Sequence, residues 1–318
     1  MKKATYGYYI GKATDDDIQY KGSSGGIGSI ITKYLLDNKK FDSALSFRFN
    51  KKECKYEPII VHKSEDINIC GSIYQDIDIP KFIKEHISEI EDGIVVSCTP
   101  CQVGLVKHIL KAKGKNAFTI SFCCSGQTTI EGTWKYYQLL GIEKENVVRM
   151  QYRGNGWPSG IQIWLKDGSK IYKGNYTDPW KTLHRSLLYR PKRCFTCKLD
   201  TSYQSDISIA DPWLDTYKEN DNRGHSLFLI NTEKGYNVIK TMSDDKIIEK
   251  EDVDFDTYCK AQKINIIKET QTKRYKRAYK IIVRLRDNSL YFKLASLNTF
   301  MMRMCIRINR LIQKIIRY

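Results

Sequence analysis

The chain has 318 residues, 41% of them hydrophobic and 28% charged, with a formal net charge of +17. That length and apolar content allow a substantial core in one large domain or two smaller ones, which excludes disorder as the default. Ten cysteines stand in a chain whose first twenty residues carry lysines but no apolar signal-peptide run. They argue against a disulfide framework and for metal ligation or redox chemistry in a reducing, cytoplasmic setting.

The charge is unevenly distributed. From Lys273 to Tyr318, thirteen Lys and Arg face a single acid, Asp287, so this stretch supplies +12 and the remainder only +5. Two units are therefore expected, a body over residues 1–270 and a basic amphipathic helical tail over 271–318. Nucleic acid is not an expected partner, because no recognised binding module accompanies the basic residues.

In chain order, YKGSSGGIGSIITKYLL (20–36) reads as a Gly/Ser turn opening a helix, with Ile27, Ile30, Ile31, Tyr34 and Leu35 at helical spacing. Such a turn is commonly a plain cap, and it is also a shape that presents backbone amides to a phosphate. FDSALSFRF and EPIIVHK then suggest strands, and KFIKEHISEIE a helix. GIVVSCTPCQVGLVKHILKAKG reads as a buried strand, a cysteine-bearing loop and an amphipathic helix, and NAFTISFCCSG as a second strand ending at cysteine. Open α/β sheets bind ligands beyond the carboxyl ends of their strands, which is where these thiols fall.

Alternation around Asp167 and Gly168 predicts a hairpin within residues 147–176. SDISIADPWL and HSLFLINTEKG each read as a short strand entering a turn, and the stretch to about residue 270 is charged and weakly helical. The expected fold class is α/β (mixed α+β): a mixed sheet with flanking helices, plus a basic amphipathic C-terminal helix. In that helix Met301, Met304, Ile308, Leu311, Ile312 and Ile315 follow helical spacing, interleaved with Arg303, Arg307, Arg310, Lys314 and Arg317. No run approaches the roughly 18 apolar residues that cross a bilayer. The helix is expected to lie peripherally on an anionic membrane surface, at its inner face, or to dock on a partner; the plainer alternative is a packed terminal helix with a solvated basic face.

The cysteines carry the most chemistry. Cys194 and Cys197 form one CxxC, Cys98 and Cys101 another, and Cys123 and Cys124 are adjacent. The spacing alone fits a structural zinc site, an iron-sulfur site, or a set of unligated buried thiols. Among the other polar residues, Asp206 and Asp211 flank a strand end where a carboxylate could orient a cofactor, although turn-forming aspartates are commoner. His108 and His184 read as solvated or hydrogen-bonded histidines rather than site residues.

Taken together, KGSSGGIGS, SCTPCQVGL, FCCSG, RPKRCFTC and SDISIADPW resemble, in order, the landmarks of the coenzyme F420 hydrogenase/dehydrogenase beta-subunit family, over about residues 6 to 240. The resemblance implies a flavoprotein, with FAD as its flavin, that carries a 4Fe-4S cluster and exchanges electrons with a separate donor protein or reduced cofactor. Carried over by position, the implied cluster ligands are Cys101, Cys124, Cys194 and Cys197. The implied flavin contacts are Ser23, Ser24, Gly25 and Gly26, with Asp206 and Asp211 nearby. The substrate class implied is small or lipid-linked, within polysaccharide biosynthesis. Three departures are visible: the family usually has a small residue at Cys98, an apolar one at Cys123 and often His at Ser125, so Cys98 and Cys123 remain open as alternative ligands. The ferredoxin-like amino-terminal module of longer relatives is expected to be missing. The competing function is a noncatalytic, zinc-stabilised binding module at the membrane surface.

Overall fold

The computed structural model describes residues 6–174, 176–197, 204–263 and 273–316. In chain order its first half runs β1 (Tyr8–Ala13), α1 (Asp16–Lys21), α2 (Ile27–Asp37), β2 (Ser43–Asn50), β3 (Lys55–Val61), α3 (Ile79–Glu85), β4 (Gly93–Ser97), α4 (Pro100–Lys111), β5 (Asn116–Phe122) and α5 (Ile130–Leu139). There follow β6 (Val147–Gln151), β7 (Gly160–Leu165), β8 (Lys170–Gly174), α6 (Trp180–Ser186), β9 (Ile207–Ala210), α7 (Asp215–Asn220), β10 (Ser226–Ile230), α8 (Glu233–Asp244), β11 (Ile248–Val253) and α9 (Phe255–Ala261). Three helices end the chain: α10 (Lys273–Asp287), α11 (Ser289–Ala295) and α12 (Thr299–Ile315).

Eight strands form one mixed sheet in the order β11-β1-β10-β9-β5-β4-β2-β3. Its centre, β2, β4, β5 and β9, is parallel, while β10, β1 and β11 on one side and β3 on the other add antiparallel. The central strands are buried on both faces, as parallel strands require. Along β4, Val95 enters one core with α2 and α8, whereas Ile94 and Val96 enter the opposite core with α3 and α4. Along β10, Phe228 and Ile230 join the first core, while Leu227 and Leu229 face a third that includes Tyr258 of α9. The period-two alternation of the sequence thus sorts side chains between two layers of helices.

A separate three-stranded antiparallel sheet, β6-β7-β8, contains the hairpin expected around Asp167 and Gly168, with Gly168 at φ +84°. It shares a core with α5, α6 and the C-terminal helices, to which Ala295, Met302 and Cys305 contribute buried side chains. The boundary expected at residue 270 lies outside the described residues, and the basic stretch beyond it forms three helices packed on the body. Three strands escaped the sequence reading, among them β6 beside the expected hairpin. β1 lies in a segment read only for targeting signals, and β11 (IEKEDV) is an edge strand whose charges face water, a common protection against edge-to-edge pairing.

Asp206, just before β9, shows how the sheet is locked. It is 2% exposed, and its carboxylate accepts from Thr119 N and Thr119 Oγ1 at 2.8 Å each and from Thr232 Oγ1 at 2.8 Å. Lys234 and Lys107 stand 3.4 and 3.9 Å away. Burial opposes its ionisation, but the two lysines and the Thr119 donors outweigh burial and hold the carboxyl below its ordinary range. Because the folded pKa is depressed, the stabilisation is present above the unfolded value of about 3.9 and is lost as pH falls through the folded value. Asp206→Ala, which strands three buried donors, is expected to lower unfolding free energy by about 3 kcal/mol at neutral pH. Urea titrations at stepped pH should show the gap to wild type closing only in acid; a gap independent of pH would refute the ionic account.

Candidate functional site

A cavity of about 360 Å³ opens at the carboxyl ends of β4, β5 and β9. Ser97 and Cys98 come from the end of β4, Phe122 to Gly126 follow β5, and Ala210 and Asp211 follow β9. The opposite wall is the turn before α2, with Ser23, Ser24, Gly26, Ile27, Gly28 and Ser29 lining it. Gly26 sits at φ +75° as the cap of α2, and no side chain caps the helix, so its first amides are left to the cavity side. Among the four expected turn residues, Gly25 is the one that does not line the cavity. Its amide donates to Ser226 Oγ at 3.0 Å, and a Cβ there would lie 2.5 Å from Gly11 O, so its glycine serves close backbone packing.

The hydroxyls of this turn are already engaged. Ser24 Oγ and Ser226 Oγ are 2.8 Å apart, and Ser72 Oγ donates to Ser23 Oγ at 2.8 Å. What the turn offers a ligand is therefore its backbone. It is held by Arg153, a residue the sequence reading missed. Arg153 Nη2 donates to Ser23 O at 2.6 Å, and both its Nη atoms reach the Asp211 carboxylate at 2.8 Å. Arg153 is 5% exposed; burial opposes its charge, and Asp211 and its hydrogen bonds more than compensate. Trp157 Nε1 adds a donor to Asp211 at 3.1 Å, and Trp157, Trp213 and Tyr176 form an aromatic wall with centroid spacings of 5.2 and 5.8 Å. The signal in the sequence was the Gly-, Asn- and Trp-rich run RGNGWPSG, whose turns bring residue 153 to residue 211.

Asp211 thus lines the cavity as a positioning carboxylate, whereas Asp206 does not line it. Asp206 lies at the opposite end of β9, where it locks β5 and β9, so the structure does not bring the two aspartates together.

Of the four implied ligands, Cys124 lines the cavity and accepts the Gly126 amide at 3.4 Å. Burial pushes its thiol up to about 12, and the charges of Cys194, Cys101 and Cys197 each add to the rise. Burial also raises Cys194, against lowering by the Gln127 amide, Arg190 and Arg193. Cys101 is exposed near the start of α4, where it interacts with Arg193, whose guanidinium also forks onto Asp76. The alternatives, Cys98 and Cys123, line the same cavity and also pack against apolar cores. Cys98 is 3% exposed in the core of α3 and α4, and Cys123 packs with the α9 core, 3.6 Å from Tyr258 OH. Among the described residues, no three Cys, His, Asp or Glu side chains close to single-ion geometry. Four thiols, two backbone amides and two nearby guanidiniums are a donor set suited to an anionic iron-sulfur group.

His184 is not part of this donor set. Burial, with Arg190 and Arg185, pulls it down to about 3, so it is neutral; Nδ1 faces Thr128 Oγ1 at 3.2 Å and Nε2 faces Arg190. His108 lies in the last turn of α4 and does not line the cavity. No helix among the described residues is long and apolar enough to cross a membrane.

Comparison with known proteins agrees with this geometry. Two family models match, both for the coenzyme F420 hydrogenase/dehydrogenase beta subunit: the one for its C-terminal part over residues 91–256, and the one for its N-terminal part over residues 8–84. The expected lack of an amino-terminal module is therefore not supported, since the family's own N-terminal segment is matched. A relative, coenzyme F420 hydrogenase subunit beta of Methanococcus voltae, is 24% identical over 246 residues, spanning 76% of this chain and 83% of its own length. A chain in a structure of the F420-reducing NiFe hydrogenase complex from Methanosarcina barkeri shares the fold, with TM-score 0.62 and 19% identity over 85% of this chain and 94% of that one. The matched segments run from β1 to the start of α9, and by them the chain belongs to the coenzyme F420 hydrogenase/dehydrogenase beta-subunit family, a family of oxidoreductases.

Proposed function

We propose that this protein is an iron-sulfur flavoprotein that passes electrons between a separate donor and a small or lipid-linked acceptor. One observation carries the reading: Cys124 lines the cavity and lies within electrostatic reach of Cys101, Cys194 and Cys197, the other ligands that the resemblance implies. A cluster held by Cys101, Cys124, Cys194 and Cys197 would border whatever the cavity binds. When bound, the cluster supplies one-electron transfer and a flavin such as FAD supplies hydride transfer.

The chain's own residues bind, orient and exclude water. The backbone of Ser23, Ser24 and Gly26 and the first amides of α2 suit a flavin pyrophosphate, where the helix dipole favours an anion. Arg153 and Asp211 fix the turn that presents those amides, and Trp213 and Tyr176 supply apolar walls. The Gly126 amide on the Cys124 sulfur and, at Cys194, Arg190 and Arg193 oppose the rise that burial imposes on these thiols and would raise the potential of a cluster held there. Cys101, exposed at the outer edge, gives a separate donor protein its approach. That donor follows from relatives named as subunits of hydrogenases. The acceptor class, within polysaccharide biosynthesis, rests on the sequence resemblance rather than on the cavity.

Anaerobic purification tests the reading. The expected preparation absorbs broadly in the blue and contains iron, sulfide and flavin; zinc with neither iron nor flavin would establish the noncatalytic zinc module instead.

A further inference from the structure

The terminal helix α12 has three faces rather than two. Met302, Cys305 and Asn309 are buried against α6, where Asn309 Nδ2 donates to Ser186 O at 3.1 Å. A second face is apolar and in water: Phe300 is 66% exposed, Met304 36%, Ile308 36%, Leu311 56% and Ile315 72%. Their spacing of four, four, three and four aligns them in one stripe along the helix. The third face lies between the other two and bears Arg303, Arg307, Arg310 and Lys314, all exposed. Among the described residues, Arg303 alone of the four is ion-paired, to Asp178 at 2.6 Å. The neighbouring α11 adds Leu290, 66% exposed, and Leu294, 51%, and the link to α12 adds Leu297, 64%.

The core of the protein already takes its share of this helix, so the outer stripe is not needed for packing. A contiguous exposed apolar strip of this size marks an interaction surface. Its flank decides the occupant. The cores of protein-protein interfaces are depleted in charge, and a second copy would bring a like-charged +12 tail against the first. A cationic row running beside bulky apolar side chains is the pattern of a helix lying in the headgroup region of anionic lipid. The helix is too short and too charged to cross.

We propose that the C-terminal helices attach this protein to the surface of an anionic lipid bilayer. Phe300, Met304, Ile308, Leu311 and Ile315 enter the boundary between headgroups and acyl chains, and Arg307, Arg310 and Lys314 engage lipid phosphates. The inference goes beyond the redox reading and stands without it, since no step above uses the thiols or the cavity.

Flotation of the full-length protein with vesicles tests it. Protein is expected with vesicles containing about a third phosphatidylglycerol in phosphatidylcholine, not with phosphatidylcholine alone, and recovery is expected to fall in high salt. The variant Phe300→Gln/Leu311→Gln/Ile315→Gln and the variant Arg307→Glu/Arg310→Glu should each bind about tenfold more weakly, with unchanged thermal melts because every altered side chain is exposed. If the triple variant melts lower, single Ile315→Gln in the last turn gives the same reading at smaller size. Three results overturn the proposal: wild type that stays unbound, both variants floating as wild type does, or a wild-type dimer that the triple variant dissolves. None of them bears on the absorbance spectrum of the purified protein, so this inference and the redox reading fail separately.

Discussion

Cys194→Ser and Cys197→Ser are each expected to yield protein without bound iron, whereas Cys54→Ser and Cys305→Ser are expected to retain a full complement. The expected contrast follows from the proposed ligand set. Cys194 and Cys197 are two of its four thiols, each acting electrostatically on Cys124, and a neutral serine hydroxyl replaces a soft thiolate poorly on iron. Cys54 instead directs its thiol to Lys144 O at 3.0 Å within the second core, and Cys305 faces Tyr291 OH at 3.2 Å and Ser186 O at 3.6 Å. A serine at either of those places keeps a donor for the same carbonyls. Iron and sulfide analysis of anaerobically purified variants, with electron paramagnetic resonance after reduction, reads the outcome. Iron retained at wild-type level in both CxxC variants would remove that motif from the ligand set, and with it the adjacency of cluster and cavity.

Asp211→Ala is expected to lower unfolding free energy by about 3–5 kcal/mol and to abolish flavin retention. The carboxylate is the counter-ion of a buried guanidinium and also accepts from Trp157 Nε1, so its loss leaves a charge and an indole donor unpartnered in the interior. Arg153 then keeps Ser23 O and the Tyr74 hydroxyl as partners but no counter-ion, and the turn before α2 loses its fixed position. The double variant Arg153→Met/Asp211→Leu separates stability from function. Removing both charges should restore most of the lost stability, because a buried pair contributes little net free energy against apolar replacements. Flavin retention should stay low, because the clamp on the Ser23–Ser24 turn is still missing. Urea denaturation and flavin content, measured on the same preparations, decide the matter: a double variant that recovers both would show that the pair serves packing alone.

Much of the arrangement was legible from local pattern. SCTPCQVGL and FCCSG read as strand ends passing into loops, and that is where β4 and β5 deliver Cys98 to Cys101 and Cys123 to Cys124. The Asp167–Gly168 hairpin was legible because a tight turn needs a residue that tolerates positive φ. Other features were not legible, because their partners are far apart in the chain. Arg153 meets Asp211 across 58 positions and Asp206 meets Thr119 across 87, and no periodicity reports such distances. Asp206 and Asp211 look equivalent on either side of ISIA, yet a four-residue strand carries one to the locked end of the sheet and the other to the cavity.

The strand and helix periods, the order of the cysteine motifs and the concentration of positive charge after residue 272 are written in the chain itself, since they depend only on neighbours along it. Which of those features meet was settled by folding in three dimensions. Packing put Cys98 and Cys123 against apolar cores while leaving both, with Cys124, in the cavity lining, whereas Cys101 stays exposed. It also divided the apolar residues of the last helix into a buried face and an exposed stripe. A helical period specifies that apolar side chains share a side, whereas contact with α6 determines which of them are removed from water.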